Sequence, residues 1–247
     1  MAGREVSTVT ALLTNKAYGY PTRGARRRRK PTILACLHQT ANATATAIGE
    51  RNYANRAGSP GPSATTYIDR DGTIVRAIDP AKYAAWSQGD VASPNTKIPT
   101  IAAAVASGVN LNEWFYESIE CSGAGTEPFT DAQFEAVAHV VAAASQALGI
   151  PVNRSTVVVH ADINSVSRRS DPWPPVTREA RVKRVIARAN AILRPPIVTV
   201  TVKAGDTLSE IAAAHGLSLA ALLAFPENAR YRANPGLIHP GDLVRVK

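Results

Sequence analysis

The chain has 247 residues, 45% of them hydrophobic and 19% charged. That apolar content suffices for one sizeable core and a second small one, so one or two domains are expected. No uninterrupted apolar run reaches the roughly 18 residues of a membrane span, and residues 1–30 lack the apolar stretch of a secretory signal. The expectation is therefore a monomer made in the cytoplasm, without stable membrane insertion.

Charge is the first pointer to a partner. The formal net charge is +9 and the pI about 9.9, which favours a polyanion: nucleic acid, membrane or an anionic wall polymer. Six positive charges sit close together at Arg23, Arg26, Arg27, Arg28, Arg29 and Lys30, closing a basic extension over residues 1–30. Two readings fit: a solvated lead into the first strand, or attraction to wall phosphates that weakens with salt. Nucleic acid is not expected, because no aromatic interleaving or DNA-binding pattern accompanies the arginines. Cys36 and Cys121 are read as reduced, buried thiols rather than a disulfide.

In chain order, residues 32–37 form a strand-like run that ends in His38, Gln39 and Thr40, where a side chain can face a cleft. Residues 65–69 and 73–78 read as strands of a hairpin turned by Arg70, Asp71 and Gly72. A helix with Phe134, Val137, Ala138, Val141 and Ala144 on one side follows the N-cap candidate Thr130 and stops at Gly149. The apolar run 156–159 then ends in His160, so two separate strands lead into histidine. A last helix from about Thr177 to Leu193 is stopped by Pro195 and Pro196, placing one domain over 31–193 and a linker over 194–197.

Residues 198–247 form a second pattern, β-α-α-β. Val198 to Val202 alternates as a strand, Gly205 and Asp206 make a turn, and Thr207 caps a helix carrying Leu208, Ile211 and Ala212. Gly216 ends that helix, a second runs through Leu219, Leu222 and Leu223, and Leu243 to Val246 closes the unit. The segments 200–208 and 238–246 resemble the lysin motif, or LysM module, whose pattern has "GDTL" after its first strand and ends "I-x-PG-x-x-L-x-V". The usual Asn-Pro after the second helix is altered here to Phe225, Pro226, Glu227, Asn228. The resemblance implies binding of N-acetylglucosamine-containing glycan by Gly205, Asp206, Thr207 and Leu208, although Gly205 and Thr207 equally serve a turn and a cap.

The chemistry lies earlier. A lone histidine at a strand end is more often a hydrogen-bonded core residue than a metal ligand. Asp171, eleven residues beyond His160, adds a carboxylate, and two imidazoles with one carboxylate leave a fourth tetrahedral position for water. The segment resembles the zinc-dependent N-acetylmuramoyl-L-alanine amidases, a family that includes phage enzymes and the peptidoglycan recognition proteins. The matching blocks are collinear: His38, Gln39, Thr40, Ala41; Asp69, Arg70, Asp71, Gly72; Ala85, Trp86, Ser87, Gln88, Gly89; Glu117, Ser118, Ile119, Glu120; Phe129 to Gln133; His160, Ala161, Asp162; and Arg168, Arg169, Ser170, Asp171, Pro172.

That resemblance implies an α/β fold, a mixed central β-sheet flanked by helices, with the small β-α-α-β domain appended. It implies Zn2+ held by His38, His160 and Asp171, Glu120 as general base and Arg169 near the reacting carbonyl. Trp86 is the tryptophan expected to contact substrate. Ala64, Thr65 and Thr66 stand where relatives often carry tyrosine or histidine, which argues against a tyrosine-assisted mechanism. The implied partner is bacterial peptidoglycan, both glycan strand and stem peptide, and the implied role is that of an endolysin released to the wall. A recognition protein that binds the wall without catalysis is the alternative.

Overall fold

The computed structural model describes residues 24–26, 28–56, 64–87, 91–125, 127–194 and 197–247. Arg23, Arg27, Gln88, Gly89, Pro195 and Pro196 lie outside the described residues. The chain divides into two compact units between Leu193 and Arg194.

The first unit is built on a five-stranded sheet. Its elements are β1 (Gly24–Arg26), β2 (Ile33–Gln39), α1 (Ala47–Asn55), β3 (Thr66–Ile68), β4 (Ile74–Arg76), β5 (Tyr83–Ala85), α2 (Pro99–Ala106), β6 (Phe115–Cys121), α3 (Asp131–Leu148), β7 (Val157–Val159), the short α4 (His160–Ile163) and α5 (Pro175–Leu193). The strand order is β4-β3-β6-β2-β7, with β3–β4 antiparallel and the other three pairs parallel. The sheet is therefore mixed, with helices supplying the crossovers that parallel strands need. β1 and β5 make a separate antiparallel pair.

Why these residues choose these elements is clearest at α3. Thr130 accepts from the Gln133 backbone while the Gln133 side chain accepts from the Thr130 backbone N–H, a reciprocal cap of about 1 kcal/mol. Gly149 stops the helix at φ 67, a left-handed conformation that glycine adopts without a Cβ clash. The apolar stripe of α3 packs on Leu34, Leu37, Ile119, Val157 and Val159 of the sheet and on Val182, Val185 and Ala189 of α5. Trp173, fully buried against Phe129 and Phe134, pins the segment that leads from the sheet to α5. Cys36 and Cys121 are buried thiols that no disulfide joins.

The second unit comprises β8 (Thr199–Thr201), α6 (Leu208–Ala214), α7 (Leu219–Ala224), a 3-10 turn (Pro226–Tyr231) and β9 (Leu243–Arg245), with β8 and β9 antiparallel. Val202, Leu208, Ile211, Leu222, Tyr231, Val244 and Val246 form its core. The altered loop after α7 has a structural role. Asn228, fully buried, donates to the carbonyls of Leu222 and Arg245 at 2.8 Å each and accepts from the Arg245 N–H at 2.9 Å. Its amide thus ties the helical half of the unit to the closing strand.

Among the described residues no helix is long and apolar enough to cross a membrane.

Candidate active site

Strand register gathers the site. In the parallel pair β2–β6, His38 lies opposite Glu120, and in β3–β6, Tyr67 lies opposite the same Glu120. Register partners share a face, so His38, Glu120 and Tyr67 form a row across one side of the sheet. On the other flank Leu37 pairs with Val159, which brings His160, the first residue of α4, beside His38.

His160 is held in place by Asp162. The Asp162 carboxylate accepts the Val159 N–H at 3.0 Å and takes both 2.9 Å bonds from Arg154, so its negative charge is fully engaged in supporting α4. Asp171 returns to the histidines through a folded loop over residues 164–171. Buried Asn164 accepts from the N–H groups of Val166 and Ser167, and the Ala161 N–H donates to the Asp171 carbonyl at 3.0 Å.

Three donor atoms consequently converge. His38 Nδ1 lies 3.0 Å from His160 Nδ1, His160 Nδ1 lies 3.0 Å from Asp171 Oδ2, and His38 Nδ1 lies 3.8 Å from that same oxygen. Ligands spaced tetrahedrally around an ion at bonds of about 2.0–2.1 Å stand about 3.3–3.4 Å apart, and a triangle with the observed sides has a point about 2 Å from every corner. Two imidazole nitrogens and one carboxylate oxygen can share a cation there, whereas a proton bridges only one pair at a time. The second carboxylate oxygen accepts the Gln39 N–H at 2.9 Å, the outer hydrogen bond that fixes a ligand's orientation.

Protonation suits the same use. Burial, reinforced by the charge of His160 and opposed by the hydrogen bond to Asp171, holds the His38 imidazole below its ordinary value, so it is neutral with a lone pair available. Burial alone would raise the Asp171 carboxyl, but hydrogen bonds and charge from His160 and His38 outweigh it and keep the group ionised. Buried His160 Nε2 has no hydrogen-bond partner among the described residues.

The two glutamates of β6 have opposite fates. Glu117 is buried and paired: Arg76 reaches it at 2.5 Å, with Thr65 at 2.5 Å and Thr66 at 3.0 Å completing the set. Thr65 and Thr66 therefore serve to satisfy Glu117. Glu120, three residues on and so on the other face, makes no hydrogen bond or ion pair among the described residues. Burial, then the charges of Asp171 and Glu50, push its carboxyl well above the usual range. Unpaired, in line with His38 and poised to hold a proton, it is the carboxylate equipped for acid-base work.

Other expected residues are placed as follows. Trp86 follows β5 with 47% of its surface exposed, whereas Trp114 and Trp173 are buried, so only Trp86 offers a large face to a substrate. Arg169 is exposed, and its carbonyl accepts from Arg178. Of the arginine run, Arg29 stacks 3.8 Å from the Trp114 ring centre, while Arg28 and Lys30 are exposed; a wholly solvated lead-in is corrected to this extent. In the second unit Gly205 turns at φ 92, Asp206 accepts the Lys203 N–H at 2.8 Å and Thr207 forms a capping box with Glu210. Leu208 is 2% exposed, so only its backbone can meet a sugar. Sequence reasoning passed over Tyr67, the register partner of Glu120. The tyrosine is buried beside Glu120 with its hydroxyl accepting the Ala64 N–H at 3.1 Å, and burial pushes the phenol well above its ordinary value, so it stays neutral. Period-two counting on β3 was the signal that could have found it.

Comparisons with known proteins cover both units. Residues 28–174 match the family model described as N-acetylmuramoyl-L-alanine amidase (Amidase_2), and residues 200–247 match the LysM domain. Among solved structures, the chain is similar to a selenomethionine derivative of AmpD at 21% identity, covering 66% of this chain and 90% of that one with a TM-score of 0.48. It is similar to PlyL at 19% identity, covering 66% and 86% with a TM-score of 0.46. The endolysin amidase LysCS from Clostridium intestinale is 16% identical, with 70% and 90% covered and a TM-score of 0.45. No curated protein sequence matches significantly.

Proposed function

Because the chain belongs to the N-acetylmuramoyl-L-alanine amidase family and carries a LysM domain, we propose that it hydrolyses the amide between N-acetylmuramic acid and the L-alanine of the stem peptide. The observation that supports this most is the meeting of His38, His160 and Asp171 beside an unpaired Glu120. In this reading residues 31–193 are the catalytic domain and residues 198–247 hold it on the glycan.

His38, His160 and Asp171 would hold Zn2+, leaving one position open. When bound, the ion supplies Lewis acidity that polarises a carbonyl and makes water more acidic. Glu120 takes the proton from the attacking water and passes it to the departing alanine nitrogen, as the C–O bond forms and the C–N bond breaks. The Arg169 guanidinium would stabilise the negative charge that develops on the carbonyl oxygen, and it cannot act as the proton donor because arginine does not deprotonate. Trp86 offers a flat apolar face to the substrate, and the Gly205–Leu208 turn offers backbone groups to a sugar chain. An amidase joined to a wall-binding module suits an endolysin-type lytic role on bacterial peptidoglycan, with exposed Arg28 and Lys30 available to anionic wall polymers.

Mass spectrometry of purified peptidoglycan after digestion tests the reaction. New free alanine amino termini are expected, with activity abolished by chelation and restored by Zn2+. New reducing sugar ends without free alanine amines would make it a glycosidase and overturn the proposal.

A further inference from the structure

The segment that carries Trp86 is gripped on both sides of the tryptophan. Before it, Ala85 lies opposite Gly24 in the antiparallel pair β1–β5, and β5 has no other strand partner among the described residues. After it, the Ser87 N–H donates to Asn112 Oδ1 at 3.0 Å. Asn112 belongs to a short 3-10 turn, Leu111–Trp114, and is itself oriented by Asn110, whose side-chain oxygen accepts from the Asn112 N–H at 3.0 Å and from its amide at 2.9 Å. Ala84, Ala85, Ser87 and Asn112 are buried, while Trp86 among them is half exposed. The same turn receives the chain that leaves β1. The Arg28 N–H donates to Glu113 at 3.2 Å, the Arg29 guanidinium stacks on the Trp114 ring and the Thr32 N–H donates to the Trp114 carbonyl at 3.2 Å.

We propose that the lead-in over residues 24–32 is a brace for Trp86, acting through the Leu111–Trp114 turn, and that Asn112 is the positioning residue that transmits it. The inference rests on the amidase reading above, with Trp86 as its substrate face. An exposed aromatic side chain binds weakly when its backbone must be ordered on binding, and backbone fixed beforehand removes that cost. The three-residue pairing of β1 with β5 cannot fix it alone, because an isolated two-stranded ribbon is marginally stable at best. Glu113 and Trp114 supply the missing anchorage to the β1 side, and Asn112 supplies it to the Trp86 side. The buried turn thus couples the arginine run to the tryptophan. A brace of this kind acts on substrate and transition state alike, so its loss raises KM and spares kcat.

The test compares N112A, N112D and R29A, each alone and combined with W86A, in the zinc-loaded full-length protein acting on a soluble muramyl peptide. W86A should raise KM about tenfold through loss of the aromatic contact. N112A should raise it about three- to tenfold with kcat held within about twofold, and R29A should do the same to a smaller extent. Neither should raise KM further once Trp86 is gone, because a residue that acts through Trp86 then has nothing left to position. N112D keeps an oxygen acceptor for the Ser87 N–H and should recover part of the loss, which also keeps the test decisive if N112A folds poorly. The proposal is overturned if N112A and R29A leave KM unchanged, if they lower kcat instead, or if their effects add in full to that of W86A. A W86A variant with the parental KM overturns it as well. A parent protein that releases no free alanine amine would defeat the amidase reading itself, and calorimetric binding of the same peptide to the same variants would still decide the brace.

Discussion

The two units use polar residues in opposite ways. In the first, His38, His160, Asp171 and Glu120 are buried or half-buried, and the fold does not explain them: three crowd one point and the fourth lacks any partner among the described residues. In the second, every polar group singled out is engaged in local structure, with Asp206 closing a turn, Thr207 capping a helix and Asn228 bonding the closing strand. A catalytic site therefore reveals itself as polar chemistry left over after folding. The turn proposed to bind glycan is instead made from folded backbone, so the residues that shape it are also those that stabilise it.

The sharpest way to break this contrast is to remove a ligand. His38→Ala or Asp171→Ala should abolish zinc retention and lower amide hydrolysis by more than about a hundredfold, since loss of a ligand's outer partner alone costs 10–100-fold. Elemental analysis with turnover measurements checks this, and a variant that keeps both would dissolve the proposed centre.

Glu120→Gln comes next. Activity should drop by about a hundredfold or more, as for loss of a general base. Because Glu120 is harder to ionise in the folded state than its ordinary value of 4.5, its charge works against the fold as pH rises above that value. The inactive variant should therefore melt at a higher temperature than its parent at neutral pH. A lower melting temperature would mean that the carboxylate has a structural partner.

The second unit should behave in the reverse manner. Asn228→Ala leaves buried backbone groups of Leu222 and Arg245 unpaired and should cost about 1–3 kcal/mol, and Thr207→Ala about 1 kcal/mol. Both should weaken retention on insoluble walls while leaving turnover of a soluble muramyl peptide unchanged, which a sedimentation assay paired with solution kinetics separates.

A weaker probe is pH. His38 in the metal-free protein resists protonation below its ordinary value of 6.5, so the unfolded chain takes up the proton first, and stability should fall as pH drops from about 6.5. Chemical denaturation at graded pH reads this out, and the dependence should diminish in His38→Ala. The smallest effect is expected at Ala41, beside the site at φ 54: Ala41→Gly relieves a left-handed conformation and should gain up to about 1 kcal/mol.

Much of this was legible in the sequence because it is local. Thr130 and Gln133 announce the start of α3, Gly149 its end, and Asp71 and Gly72 the hairpin, since caps and turns are decided by a few consecutive residues. The apolar runs before His38 and His160 likewise identify strands that lead to imidazoles, His38 near the end of β2 and His160 just after β7. The family resemblance named the candidate ligands as well. Their convergence, however, depends on strand order: β2 pairs with β6 and β7 across separations of about 80 and about 120 residues, and no spacing along the chain encodes which strands become neighbours.

Side-chain partners were decided at the same level. Composition could not say that Glu117 is neutralised by Arg76 while Glu120 three residues later is left unpaired, because alternation sends the two to opposite faces and only packing supplies the partners. The sequence by itself determined which residue types are present and where each element begins and ends, because propensity and capping act over one or two turns of chain. Tertiary structure alone decided which polar groups meet, because proximity between distant segments is set by sheet order and packing.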